Sequence, residues 1–128
     1  MNKLLPKLYL FNLALLITHE IDSAFWHEWK LFHLPGGIQF FLVINFALIL
    51  FFLFGIEKVS RWEKYASIYS YLLAASGIFA FAIHTTFILY GYKEFLLPVS
   101  VAVLILTFLI SLVQLILTYS YTKTNKHE

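Results

Sequence analysis

The segment Thr18-His19-Glu20-Ile21-Asp22-Ser23-Ala24-Phe25-Trp26-His27-Glu28-Trp29 sets two histidines and three carboxylates within twelve residues. Imidazole and carboxylate groups at this density can hold a metal ion or work as paired acid and base. A further histidine, His84, stands in an otherwise apolar stretch. On an unbroken helix each residue turns by about 100°. With His19 at zero, Ser23 falls at about 40°, His27 at about 80°, Glu20 at about 100° and Asp22 at about −60°. His19, Glu20 and His27 then share one face, with Asp22 on its edge. Glu28, at about 180°, points away.

Nitrogen and oxygen donors of this kind suit Zn²⁺, Fe²⁺ or Mn²⁺, and the absence of cysteine disfavours Cu(I). His19 and His27 lie two turns apart, about 12 Å along an axis, so one ion does not easily take both. The expected ligands are therefore His19, Asp22 or Glu20, and His84, with His27 nearer the mouth. Glu20 and Asp22 are the candidate general bases. Plainer roles exist for each residue. His19 and Asp22, three apart, can simply bond each other. His84 can bond a neighbouring helix, as Asn45 and Gln114 are expected to do. His27, Glu28, Lys30 and His33 can form a solvated face. Thr85 and Thr86 are expected to bond their own backbone, and His127 to sit in a polar tail.

The elements that must position these groups follow from composition. The 128 residues are 61% hydrophobic and 12% charged, with mean hydropathy +0.81. That is about half the charge of a soluble domain, whose surface would then be covered in apolar patches. The chain reads as a polytopic membrane protein of the all-α class. Without cysteine it has no disulfide, iron–sulfur cluster or thiolate chemistry. A net charge of +2 gives no reason to expect nucleic acid as a partner. A spanning helix needs about 20 mostly apolar residues, and four stretches qualify, near 8–25, 37–56, 66–90 and 95–119. Short connections predict one up-down four-helix transmembrane bundle over 1–128. The start resembles a signal peptide, but no small-residue cleavage site follows, so a retained helix is expected.

Seven lysines and arginines, Lys3, Lys7, Lys58, Arg61, Lys64, Lys123 and Lys126, fall on one side of these spans, against Lys30 and Lys93 on the other. The bias predicts a plasma (inner) membrane protein with both termini cytoplasmic. Trp26, Trp29 and Tyr92, and Trp62, Tyr65 and Tyr119, are placed as interfacial belts. The Phe-rich run from Phe40 to Phe54 is expected to face lipid. The sequence is compatible with a homo-oligomer.

The two outer loops resemble each other. Trp29-Lys30-Leu31-Phe32-His33-Leu34-Pro35 and Tyr92-Lys93-Glu94-Phe95-Leu96-Leu97-Pro98 share an aromatic-Lys-x-Phe-x-Leu-Pro pattern. Proline suits the first turn of the following helix. The pattern suggests a duplicated helical hairpin, with coincidence between two similar loops as the alternative. His19 lies eleven residues before Lys30 and His84 nine before Lys93. At equal loop height the two histidines differ by only about 3 Å in depth, which brings His84 opposite His19 and Glu20.

The run THEIDSAFWHEWKLF resembles the signature of a small uncharacterised bacterial membrane family, a domain of unknown function with His-Glu-x-Asp and then Trp-His-Glu-Trp in its first span. The resemblance implies the fold and a membrane location, and no catalytic assignment. Four functions remain open on the residues. The first is a metal-binding or acid–base site in the outer leaflet acting on a lipid-like substrate. The second is a proton-coupled transporter. The third is haem ligation by His84 with His19 or His27, and the fourth an accessory subunit without chemistry. Emopamil-type sterol isomerases are similar in residue types for the first, and small multidrug exporters, with a glutamate in the first helix, for the second.

Overall fold

The computed structural model describes residues 3–125. Lys126 and His127 lie outside the described residues. The described residues form helices and turns with no strand among them: α1 Leu4–Phe25, α2 Glu28–Leu31, α3 Gly37–Arg61, α4 Ala66–Leu89 and α5 Pro98–Asn125. The four long helices are long and apolar enough to cross a membrane. They form the expected four-helix membrane bundle. Helix α1 packs against α3, α4 and α5, whereas the backbones of α3 and α5 stay apart. The section is thus a rhombus with α1 and α4 on its short diagonal.

Helix ends follow local chemistry. Pro6 lies in the first turn of α1, where a missing N–H costs nothing. Pro98 opens α5 in the same way. Pro35 does not open α3. Gly36 (φ 85°) stands between them and Gly37 (φ 57°) opens the helix, both in a left-handed conformation that glycine adopts without strain. At the opposite end, Trp62 and Tyr65 carry positive φ in the α3–α4 turn, and Lys58 donates to Glu63 at 2.8 Å across it. That contact is solvated, and it holds the Glu63 carboxyl below the ordinary carboxylate range.

The apolar core near the termini is built from Leu5, Tyr9, Leu13, Phe52, Val59 and Leu73. Tyr9 donates to the Phe52 carbonyl at 2.7 Å. Most of the Phe40–Phe54 run is exposed on the lipid-facing side, as expected, but Phe41 and Phe52 turn inward.

Midway along the bundle the interior is polar and fully paired. Asn12 donates to Ser111 at 3.1 Å and to the Gln114 side-chain oxygen at 2.9 Å. Gln114 in turn donates to the Ser70 carbonyl and hydroxyl, and Ser70 meets Thr118 at 2.7 Å. Gln114 therefore ties three helices together, the role expected of it. Asn45 bonds its own helix at the Phe41 carbonyl and also meets the Glu20 side chain on α1, as expected of it, while Thr86 bonds its own helix at Ala82. Small residues let α4 and α5 approach here: a Cβ added to Gly77 would collide with the Ser111 hydroxyl. Close approach of this kind packs helices together where lipid offers no hydrophobic drive.

Two substitutions test this layer. Gly77→Ala should cost about 1–3 kcal/mol by overpacking. Gln114→Leu should cost a similar amount, roughly 1–3 kcal/mol, by stranding Asn12 and Ser70. Unfolding in mixed micelles reads both, and wild-type stability in the two variants would contradict the packing described.

Candidate functional site

Helix α1 does not continue through the polar segment. It ends at Phe25, and Trp26 and His27 close it with backbone hydrogen bonds to the Asp22 and Ala24 carbonyls. His27 then takes φ 54°, a left-handed conformation that reverses the chain. The short α2 starts at the next residue and aims Glu28 back into the bundle. The face assignment for an unbroken helix therefore fails beyond residue 26, and Glu28 is buried rather than pointing away.

Three helices now contribute to one cluster. His19 comes from α1, Glu28 from α2 and His84 from α4, and one ligand atom from each lies within 4.8 Å of the others. All three residues are buried. The His19 and His84 rings meet edge to face with centroids 4.5 Å apart, as equal depth of the two histidines requires. Phe95 closes the layer, its ring 4.1 Å from His84 and 6.1 Å from His19. Ser23 lies one turn beyond His19, its hydroxyl 3.4 Å from Nε2.

The polar atoms here are not fully paired, unlike those of the midway layer. His84 Nε2 approaches Glu28 Oε1 at 3.3 Å, close enough for attraction but misaligned for a hydrogen bond. Both His84 nitrogens and His19 Nδ1 lack a hydrogen-bond partner. Burial works against charge on Glu28, but contacts from His84 and Ser23 and the nearness of both imidazoles outweigh it. They hold its carboxyl below the ordinary carboxylate range.

Asp22 and His27, expected among the ligands, are placed elsewhere. Asp22 accepts a hydrogen bond from the Trp26 indole at 3.1 Å, on the edge of α1. His27 is exposed and stacks on Trp29 with centroids 5.1 Å apart. Glu20, the other expected base, borders the cluster. It lines a cavity of about 210 Å³ together with His19, Glu28 and His84. Apart from Ser76 the remaining wall is apolar, from Leu16 and Phe32 to Leu48, Phe79 and Ile83. Phe79, one of the wall residues, is exposed at the outer surface of α4. Sequence reasoning missed Glu28 and Phe95. The available signal was Trp26 and Trp29: a belt at that height marks where a spanning helix stops.

The reversal at residue 27 can be tested by itself. His27→Gly should keep or raise stability, by up to about 1 kcal/mol, since glycine accepts positive φ. His27→Val should lower it by roughly 1–3 kcal/mol. Thermal unfolding in detergent reads the difference, and equal stability of the two variants would contradict a left-handed residue 27.

No curated protein and no solved structure matches this chain. A family profile does match, over residues 5–121, nearly the whole bundle and every residue of the buried cluster. The chain accordingly belongs to the family of unknown function DUF6713.

Proposed function

We propose that this protein is an integral membrane metal-binding protein, holding a divalent first-row ion through His19, Glu28 and His84. The carrying observation is the convergence of three buried ligand atoms within 4.8 Å. Donors around a four-coordinate zinc ion stand about 3.3 Å apart. The His84–Glu28 edge already has that length, so only His19 must draw in. Imidazole and carboxylate donors suit Zn²⁺, Fe²⁺ or Mn²⁺. A cation would also give one unpaired nitrogen of each imidazole a partner, and Ser23 is placed to orient His19.

Three protein donors leave further coordination positions open, which is the pattern of a working rather than a purely structural centre. The lateral cavity beside the cluster fits a lipid-like substrate, whose apolar part can lie along Leu16, Leu48 and Ile83. Glu20, on the cavity wall, is the proton acceptor of this reading. Asp22 and His27 take no part in it. The charge bias of the loops orients the bundle with its termini in the cytoplasm and the cluster near the outer leaflet.

Elemental analysis of detergent-purified protein tests the reading. Wild type should carry one ion per chain. His19→Ala, His84→Ala and Glu28→Gln should each lower occupancy by about tenfold or more, while Asp22→Asn leaves it unchanged. A metal-free wild type, or a loss in Asp22→Asn without one in Glu28→Gln, would overturn it.

A further inference from the structure

Glu28 faces two spaces. One is the cavity shared with the histidines. The other is a cleft of about 170 Å³ on the α3 side, where Glu28 and Glu20 are joined by Asn45, Trp29, Phe41 and Ile44. We propose that this second cleft binds a primary ammonium group carried on an apolar chain.

The polar wall of the cleft is rich in acceptors, beside the indole N–H of Trp29. Two carboxylates contribute, and so does Asn45. The Asn45 amide nitrogen is already used, on the Phe41 carbonyl at 2.9 Å and toward the Glu20 carboxylate, which keeps further acceptor capacity. Its Oδ1 is left without a hydrogen-bond partner, on a residue only 8% exposed. A buried carbonyl oxygen is normally paired, so this atom marks a missing donor. A primary ammonium presents three N–H donors and no acceptor. It matches the two carboxylates and the amide oxygen one for one, and its charge answers theirs. A hydroxyl group offers a single donor and no charge, and a quaternary ammonium offers no donor at all.

The rest of the wall selects an organic cation over a hydrated metal ion. Trp29 and Phe41 form an aromatic pair with centroids 5.3 Å apart, a surface that attracts cations and excludes water. Leu34 and Ile44 also line the cleft and are 38% and 43% exposed. An alkyl chain attached to the ammonium would leave the cleft along these exposed apolar side chains. The same chemistry is offered by a free alkylamine and by the head group of an aminolipid. The site goes beyond the metal reading and does not need an ion at the histidines, because Asn45 lines this cleft and not the other.

Calorimetric titration of the detergent-solubilised protein with octylamine, octyltrimethylammonium, octanol and Mg²⁺ tests the assignment. Octylamine should bind at least tenfold more tightly than the other three. Asn45→Leu should weaken it about tenfold while metal occupancy at His19, Glu28 and His84 stays unchanged, and Glu20→Gln should weaken it further. Equal binding of the four probes, or octylamine binding unaffected by Asn45→Leu and Glu20→Gln, would overturn the proposal. If either variant fails to fold, selectivity among the probes on wild type decides alone. In nanodiscs, loss of octylamine binding with phosphatidylethanolamine but not with phosphatidylcholine supports an aminolipid head group. Retained binding in both supports a free amine.

Discussion

An imidazole or carboxylate within the hydrocarbon has no water to solvate it, so it must find a partner on another helix. His84 is the one histidine, acid or base in α4, and α5 has none before Lys123. Its partners come from the α1 end of the chain. The structure supplies two, the His19 ring and the Glu28 carboxylate. Most of the local architecture follows from that meeting. Helix α1 lies on the short diagonal beside α4, the chain reverses at His27, and α2 folds back so that its first residue reaches the interior.

The bundle contains two polar layers with different properties. The midway layer of Asn12, Ser70, Ser111, Gln114 and Thr118 holds no titratable group, and its hydrogen bonds run from helix to helix in a connected set. Such a network fixes register and rigidifies. The layer near α2 contains titratable groups, leaves three imidazole nitrogens unpaired, and borders two cavities. Unpaired buried atoms are costly, and their place beside open space is what the metal-binding proposal rests on. The same contrast separates Gln114, which is structural, from Asn45, whose oxygen is left over.

Much of this was legible in the chain. Hydropathy over about 20-residue stretches marks the four spans, because hydrocarbon thickness fixes their length. Depth counted from the two loop lysines brings His84 opposite His19, because rise per residue is constant along each helix. The role of Glu28 was not legible in the same way. Angles projected along α1 assume that the helix continues, and nothing as plain as glycine or proline interrupts Ala24-Phe25-Trp26-His27. The break comes from the bilayer boundary marked by the tryptophans, and one left-handed residue at position 27 exchanges Glu28 for Asp22. The likeness of the two outer loops is partial for a related reason. The first contains a helical turn and a Gly-Gly hinge, whereas the second delivers Phe95 directly against the histidines.

The contact between the two histidine rings is the most direct point at which to test the account. In protein with selectively protonated histidines, in deuterated detergent, nuclear Overhauser cross-peaks should connect the ring protons of His19 and His84, and both sets should vanish in His84→Ala. Absence of those cross-peaks, with the ring of residue 84 instead showing contacts to detergent acyl chains, would contradict it.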